Sequence, residues 1–155
     1  MRVSEAMTRD VRVCHPRQSI SEAARLMGEL DCGVLPVGEQ DRLVGMITDR
    51  DIAIRAVAQH KSPDTPIRDA MSKEVKYCFD DQHVEQVAKN MSELRLRRLP
   101  VLNREKRLVG ILSLGDLATS EPRAASHAVS GVSQQGGPHS QSREALHAGR
   151  EALHA

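Results

Sequence analysis

The sequence predicts a mixed α/β (α+β) fold built from two copies of one β-α-β-β-α unit, followed by a disordered C-terminal tail. Three observations support this prediction: an internal repeat, an amphipathic helical pattern in each copy, and paired apolar runs separated by a turn. The 155 residues are 39% hydrophobic and 28% charged, which is ordinary for a globular protein. Aromatic residues make up only 1%, so the core must consist of aliphatic side chains.

The repeat becomes visible when the second half of the chain is aligned beneath the first. Met7 then matches Met71, and Cys14 matches Cys78. The longer matched segments are Leu35-Pro36-Val37 with Leu99-Pro100-Val101, and, after one extra residue in the second copy, Leu43–Thr48 with Leu108–Ser113. An insertion between two apolar runs indicates a surface loop. The chain is therefore predicted to contain two equivalent units.

Apolar spacing predicts the elements of each unit. Ser19 and Glu22 give a capping-box pattern before apolar residues at helical spacing, which predicts a helix of about three turns. Two aliphatic runs separated by a Gly-containing turn predict a β-hairpin. In the first copy these runs are Gly33–Val37 and Leu43–Ile47. Pro36 and Pro100 lack the N–H that a central strand needs, so we expect each at a strand start, bulge or sheet edge.

A short strand around 11–14 and a second helix from about Asp51 to Ala58 complete the first unit. The counterpart of this helix in the second copy is expected to stop near Pro122. The predicted boundaries are 1–60 for the first unit, 61–66 for a linker, 67–120 for the second unit, and 121–155 for a low-complexity tail. Each unit alone would bury little surface, so the two should pack as a pseudo-twofold pair.

Composition and motifs argue against several classes of function. A formal net charge of +1 provides no long-range field to attract nucleic acid or an anionic membrane. No membrane-length apolar run or signal-sequence pattern occurs, so we expect a cytoplasmic protein. No Gly-rich phosphate loop, nucleophile elbow or H-E-x-x-H motif is present, and the histidines of the repeats do not show metal-ligand spacing. We therefore predict neither an enzyme nor a metal site.

The three cysteines, Cys14, Cys32 and Cys78, are too few and too scattered for a disulfide framework. We expect reduced, mostly buried thiols. Redox sensing by Cys14 and Cys32 is an alternative hypothesis for them.

The repeated motifs resemble a tandem pair of cystathionine β-synthase (CBS) domains, also called a Bateman module. In the first copy the matching segments are Met7–Ala24, Leu35-Pro36-Val37 and Leu43–Asp51; in the second they are Met71–Ala88, Leu99-Pro100-Val101 and Leu108–Asp116. The resemblance covers about residues 1–120. It implies two clefts between the sheets, an adenosine-type nucleotide such as AMP, ATP or NAD in one or both, and dimerisation. We accordingly expect a homodimer.

The resemblance assigns ligand contacts to Thr48-x-x-Asp51 and Ser113-x-x-Asp116, which lie where a strand turns into a helix. It gives the Asp to the ribose hydroxyls and the Ser or Thr to ribose or phosphate, in keeping with their hydrogen-bonding chemistry. The same pattern is a capping box, worth about 1 kcal/mol per cap. The two interpretations are compatible, since a helix N-terminus also favours phosphate.

Two further pairs complete the predicted site. Val13 and Tyr77 lie where the first strand of the family meets the base. Arg97 and Arg98 precede Leu99, whereas the equivalent residues of the first copy are uncharged. The resemblance implies that such a basic pair contacts phosphate, and we predict that Arg97 or Arg98 neutralises a nucleotide phosphate. The alternative is a solvated loop face or a surface ion pair.

The leading hypothesis is a stand-alone regulatory module for signal transduction. An adenine nucleotide would be its regulatory ligand, no cofactor would be required, and the output would pass to an effector protein that the sequence does not identify. The rival hypothesis is a ligand-independent protein-protein interaction module, or a redox or stress-response module, with no nucleotide in its clefts. In it Thr48, Asp51, Ser113 and Asp116 only cap helices.

Overall fold

The structure is a computed structural model that describes residues 1–133. It has the mixed α/β fold that the sequence predicts. The helices are α1 (Val3–Ala6), α2 (Ile20–Leu30), α3 (Asp49–Asp51), α4 (Val84–Leu94), α5 (Leu114–Ser120) and α6 (Pro122–Val132). The strands are β1 (Val34–Glu39), β2 (Arg42–Thr48), β3 (Cys78–Phe79), β4 (Arg98–Leu102) and β5 (Leu108–Ser113). A π-helix spans Ile52–Val57 and a 3₁₀ turn spans Ile67–Asp69.

The chain divides into two compact units, each of which contains segments of both sequence copies. Unit A comprises residues 8–80 and 100–111, and unit B comprises residues 1–7, 81–99 and, among the described residues, 112–133. Residues 1–7 join unit B because the Val3 N–H donates to the Gln82 carbonyl at 2.9 Å and the Val84 N–H donates to the Met1 carbonyl at 3.0 Å. Val3 is fully buried there. The sequence repeat gives no indication that residues 1–7 pack in unit B, away from residues 8–80.

Helix α2 begins and ends as its sequence predicts. The Ser19 hydroxyl accepts the Glu22 N–H at 3.1 Å, which satisfies one of the unpaired donors of the first turn. Ile20, Ala23 and Met27 form the buried face. Full burial of such an aliphatic side chain contributes about 1.5–3 kcal/mol, so packing rather than capping stabilises most of this helix.

The predicted hairpin of the first copy is the antiparallel pair β1–β2 in unit A. The backbone polar groups of Pro36 face away from β2, because the Pro36 carbonyl accepts the Cys14 N–H at 3.0 Å. The N–H that proline lacks would point the same way, so its absence costs no hydrogen bond with β2. The strand predicted at 11–14 is reduced to a single parallel bridge between Cys14 and Val37. Its counterpart in the second copy is β3, which pairs in parallel with β4 in a sheet of order β3-β4-β5.

The predicted linker packs closely against unit A. The carbonyl of Thr65 accepts the Ile20 N–H at 2.9 Å, and that of Pro63 accepts the Ser21 N–H at 3.2 Å. These are N-terminal donors of α2, which would otherwise require water. Ile67 follows immediately and is fully buried. The segment therefore stabilises α2 as well as connecting the two copies.

The second helix of the first copy starts earlier than predicted and changes from an α-helix to a π-helix. It begins at Asp49 and continues as a π-helix from Ile52 to Val57. The wider turn is seen in the Ala58 N–H, which donates to the Ala53 carbonyl at 2.9 Å. Segments of this type are rare and occur often at functional sites.

Helix α6 corrects the prediction that a disordered tail begins at residue 121. Pro122 is placed in the first turn, where a missing N–H costs nothing, so it starts a helix rather than ending the fold. Ala124, Ala125 and Ala128 are buried, and α6 packs on α4 and α5. Small residues that read as low complexity here permit close helix packing. The remainder of the predicted tail, 134–155, lies outside the described residues.

Candidate nucleotide site

Thr48 and Asp51 form a reciprocal capping box at the start of α3. The Thr48 Oγ1 accepts the Asp51 N–H at 2.9 Å, and the Asp51 Oδ2 accepts the Thr48 N–H at 3.0 Å. The Asp51 side chain is only 14% exposed, and its Oδ1 lies 3.7 Å from Nε of Arg55. The carboxylate of the first copy is thus held by backbone and partly neutralised by a cation.

Ser113 and Asp116 form the equivalent box at the start of α5. The Asp116 Oδ2 accepts both the Ser113 N–H at 2.8 Å and the Ser113 hydroxyl at 2.9 Å. The position equivalent to Arg55 is occupied by Ser120, whose hydroxyl donates to the Asp116 carbonyl at 2.6 Å. Ser120 thus binds the backbone of Asp116, whereas Arg55 pairs with the carboxylate of Asp51.

Arg97 lies beside the Ser113–Asp116 box within unit B. Its carbonyl accepts the Leu114 N–H at 3.1 Å, which places residue 97 at the first turn of α5. The side chains of Arg97 and Arg98 are exposed, and no ion pair is formed by either within residues 1–133. The structure therefore places the main chain of Arg97 beside the Ser113–Asp116 box.

The corresponding place in the first copy is acidic. The Gly33 carbonyl accepts the Asp49 N–H at 3.0 Å, which is the same backbone bond that joins Arg97 to Leu114. The Asp49 carboxylate lies against Gly33, where an added Cβ would be 2.9 Å from Oδ2. A larger residue at position 33 would have to displace this carboxylate. The two copies thus place opposite charges beside equivalent capping boxes.

Val13 and Tyr77, the predicted contacts of the base, are 44% and 40% exposed. Val13 covers Gly38, where an added Cβ would be 2.9 Å from its Cγ1. Tyr77 lines a pocket of about 280 Å³ in unit A. The other lining residues are Arg42, Leu43, Lys73, Val75, Leu102 and Lys106. Neither Thr48 nor Asp51 lines this pocket, so the structure does not place Tyr77 with them.

Two of the three thiols are buried and hard to ionise. Burial raises the pKa of Cys78 to about 12, with a smaller contribution from the Asp80 carboxylate. Burial also raises the pKa of Cys14, and the charge of Cys32 adds to the effect. A reactive cysteine needs a lowered pKa, so these environments favour structural thiols over redox sensors.

We expect Cys78 to resist thiol reagents at pH 8 in the folded chain and to react in denaturant. The folded thiol stays protonated above pH 9, where the unfolded thiol ionises, so its contribution to stability is complete below pH 9 and is lost as the pH rises toward 12. Mass spectrometry of alkylated peptides checks this. Equal labelling of Cys78 with and without denaturant would contradict it.

Within residues 1–133 there is no group of three or more His, Cys, Asp or Glu side chains arranged to hold a metal ion. The same part of the chain contains no helix of sufficient length and apolar character to cross a membrane.

Comparison with known proteins identifies the family. The CBS domain model matches residues 3–57 and 63–122, and the chain therefore belongs to the CBS domain family. It is 39% identical over 135 residues to the CBS domain-containing protein YhcV of Bacillus subtilis (strain 168), covering 86% of this chain and 96% of that protein. The predicted family and fold class are confirmed.

Two similar solved structures contain adenosine derivatives. The CBS domain pair of protein MJ0100, in complex with 5′-methylthioadenosine and S-adenosyl-L-methionine, matches with a TM-score of 0.68 and 29% identity, covering 79% of this chain and 97% of that chain. CBSX2 in complex with AMP matches with a TM-score of 0.69 and 25% identity, covering 79% and 96%. CBS pairs similar to this chain thus bind adenosine-type ligands.

The sequence analysis did not predict two residues near the candidate site, Asp49 and Arg55. Asp49 matches Leu114 in the repeat, and Arg55 matches Ser120. These mismatches were the available signal, because a charge present in only one copy cannot be required by the shared fold. Their position beside the capping boxes emerges only from the backbone bonds of the folded chain.

Proposed function

We propose that this chain is a regulatory module, rather than an enzyme, that binds an adenine nucleotide and modulates an effector protein. The proposal includes a cytoplasmic location and a homodimer. AMP, ATP and NAD are the ligands of choice, and no cofactor is required. The observation that carries the proposal is the grouping of Arg97, Ser113 and Asp116 at the start of α5.

The side chains of Arg97, Ser113 and Asp116 have the chemistry to bind a nucleoside monophosphate. The Asp116 carboxylate accepts hydrogen bonds, as vicinal ribose hydroxyls require, and the Ser113 hydroxyl holds it in place. Arg97 supplies a guanidinium for phosphate. Hydrogen bonds to a charged group contribute about 1.5–3 kcal/mol each, against about 8 kcal/mol for micromolar affinity. Burial of the base must supply the remainder.

Charge makes the second copy the preferred anion site. Beside the first box lie the Asp49 carboxylate and an Asp51 that is paired with Arg55. Phosphate near Asp49 would be repelled, whereas phosphate near Arg97 would be attracted. We therefore propose that the guanidinium of Arg97 or Arg98 binds the phosphate of the ligand. Contact of the base with Val13 and Tyr77 stays a prediction.

Titration with AMP and with adenosine tests this assignment. Arg97→Ala or Arg98→Ala should weaken AMP binding about tenfold or more, because a charge-assisted phosphate contact is lost, and should leave adenosine binding unchanged. Arg123→Ala, which removes an exposed guanidinium from α6, is the control. Equal losses for AMP and adenosine in both variants would argue against a phosphate role.

The rival function, a ligand-independent interaction module, is favoured by one observation. Both Ser/Thr-Asp pairs are satisfied by their own capping bonds. Thermal shift with AMP, ATP, NAD and S-adenosylmethionine separates the two functions, since a ligand that binds only the folded state raises the melting temperature. No shift at millimolar ligand would favour the rival.

A further inference from the structure

The pocket that contains Tyr77 lies at the tips of the two hairpins of unit A. Arg42 is the first residue of β2, Leu102 is the last residue of β4, and Lys106 lies in the turn between β4 and β5. Lys73 and Tyr77 come from the segment that leads into β3. The volume of about 280 Å³ accommodates a small organic molecule.

Three cations line this pocket. Arg42, Lys73 and Lys106 line it together, and none of them forms an ion pair with another residue of 1–133. The neighbouring Arg107 is compensated, since its Nη1 lies 3.2 Å from Oδ2 of Asp41. No carboxylate lines the pocket in the described part of the chain. Like charges gathered at one concave surface attract an anion of matching charge.

The aromatic ring of Tyr77 lines the pocket together with the three cations. Tyr77 is 40% exposed, and its ring meets Phe79 edge-to-face with centroids 5.6 Å apart and planes at 86°. The Arg104 guanidinium lies 4.1 Å from the centroid of Phe79 and braces it. Leu43 and Leu102 add apolar surface. A flat apolar group can therefore pack on Tyr77 while an anionic group reaches the cations.

The pocket is built on a firmly held framework. Lys106 occupies the left-handed region with φ 61°, which glycine usually fills. The turn is closed by the Asn103 side chain, which accepts the Arg107 N–H at 2.9 Å. The Leu108 N–H donates to the Asp41 carbonyl at 3.3 Å and joins the two tips. Lys106 is thus presented by a fixed turn.

This pocket is separate from the Thr48–Asp51 box. Arg42 begins β2 and Thr48 ends it, and a strand of that length extends about 20 Å. We infer that the hairpin-tip pocket is a second binding site, for a small phosphate ester with a flat apolar body. This inference goes beyond the proposed nucleotide function. It assigns Tyr77 to the hairpin-tip pocket instead of the base of a nucleotide at the Ser113–Asp116 box, and it does not depend on AMP binding there.

Titration of the full chain with phenyl phosphate, inorganic phosphate and benzyl alcohol tests the inference. Phenyl phosphate should bind saturably and more tightly than the other two. Lys73→Gln or Lys106→Gln should weaken its binding about three- to tenfold, because an exposed charge contact is lost. Tyr77→Ala should weaken phenyl phosphate and leave inorganic phosphate unchanged. Lys89→Gln, an exposed lysine of α4, is the matched control.

Three results would overturn the inference. The first is no saturable binding of phenyl phosphate at millimolar concentration. The second is the same loss in Lys89→Gln as in Lys73→Gln, which would indicate general charge attraction. The third is a comparable loss of phenyl phosphate binding in Asp116→Ala, which would make the pocket part of the nucleotide site. Far-UV circular dichroism and the melting temperature of each variant confirm that it folds. Failure of AMP binding alone would leave the inference intact.

Discussion

Asp116→Ala is expected to lower AMP affinity by about 10- to 100-fold, because hydrogen bonds from ribose to a carboxylate contribute about 1.5–3 kcal/mol each. The same substitution removes the reciprocal cap of α5, in which Asp116 accepts from Ser113. We therefore expect the free energy of unfolding to fall by about 1 kcal/mol as well. Isothermal titration calorimetry and urea denaturation measure the two effects separately.

Asp51→Ala is the matched control, since Asp51 forms the same box with Thr48. It should lose a similar amount of stability but much less AMP affinity, because Asp49 makes its surroundings acidic. If Asp116→Ala lowers stability without lowering AMP affinity, the Ser113–Asp116 pair caps α5 and does not bind AMP.

Gly131→Leu is expected to separate α6 from α4. A Cβ at residue 131 would be 2.6 Å from the Ser92 carbonyl oxygen and 2.7 Å from the Ser92 Cα. These are backbone atoms that cannot rotate away, so the helix must move. Overpacking of this kind costs about 1–3 kcal/mol, and a backbone clash favours the upper end. Ala124, Ala125 and Ala128 would become exposed.

Hydrogen exchange and limited trypsin digestion at Arg123 measure this separation. Faster exchange across 122–132 is expected, with little change at α2. Gly28→Ala is the control, because no atom lies within 4 Å of its added Cβ and alanine is the better helix former. Unchanged protection of α6 in Gly131→Leu would show that α6 does not pack on Ser92.

Local patterns predicted the parts of the fold that local physics determines. Ser19 and the apolar stripe after it specify α2, and two aliphatic runs separated by a turn specify the β1–β2 hairpin. Three features depended on contacts between distant segments and could not be predicted this way. Residues 1–7 join α4, α6 packs through alanines and glycine, and the second helix of the first copy becomes a π-helix.

The candidate site divides in the same way. The Thr48–Asp51 and Ser113–Asp116 pairs have a sequence signature, because capping chemistry needs those residue types three apart. Asp49 has none, since its effect depends on the backbone bond to Gly33. Tyr77 was assigned to the base by resemblance, but the folded chain places it with Lys73 and Lys106. Such groupings arise from tertiary packing alone.

The most direct test of the central claim is calorimetric titration of the full chain with AMP. The charges beside the two boxes differ in sign, so we predict either one binding event or two events whose dissociation constants differ about tenfold or more, corresponding to about 1.4 kcal/mol. Two identical binding events would contradict the inequality of the copies. No heat with AMP and no thermal shift with AMP, ATP, NAD or S-adenosylmethionine would contradict the proposed function itself.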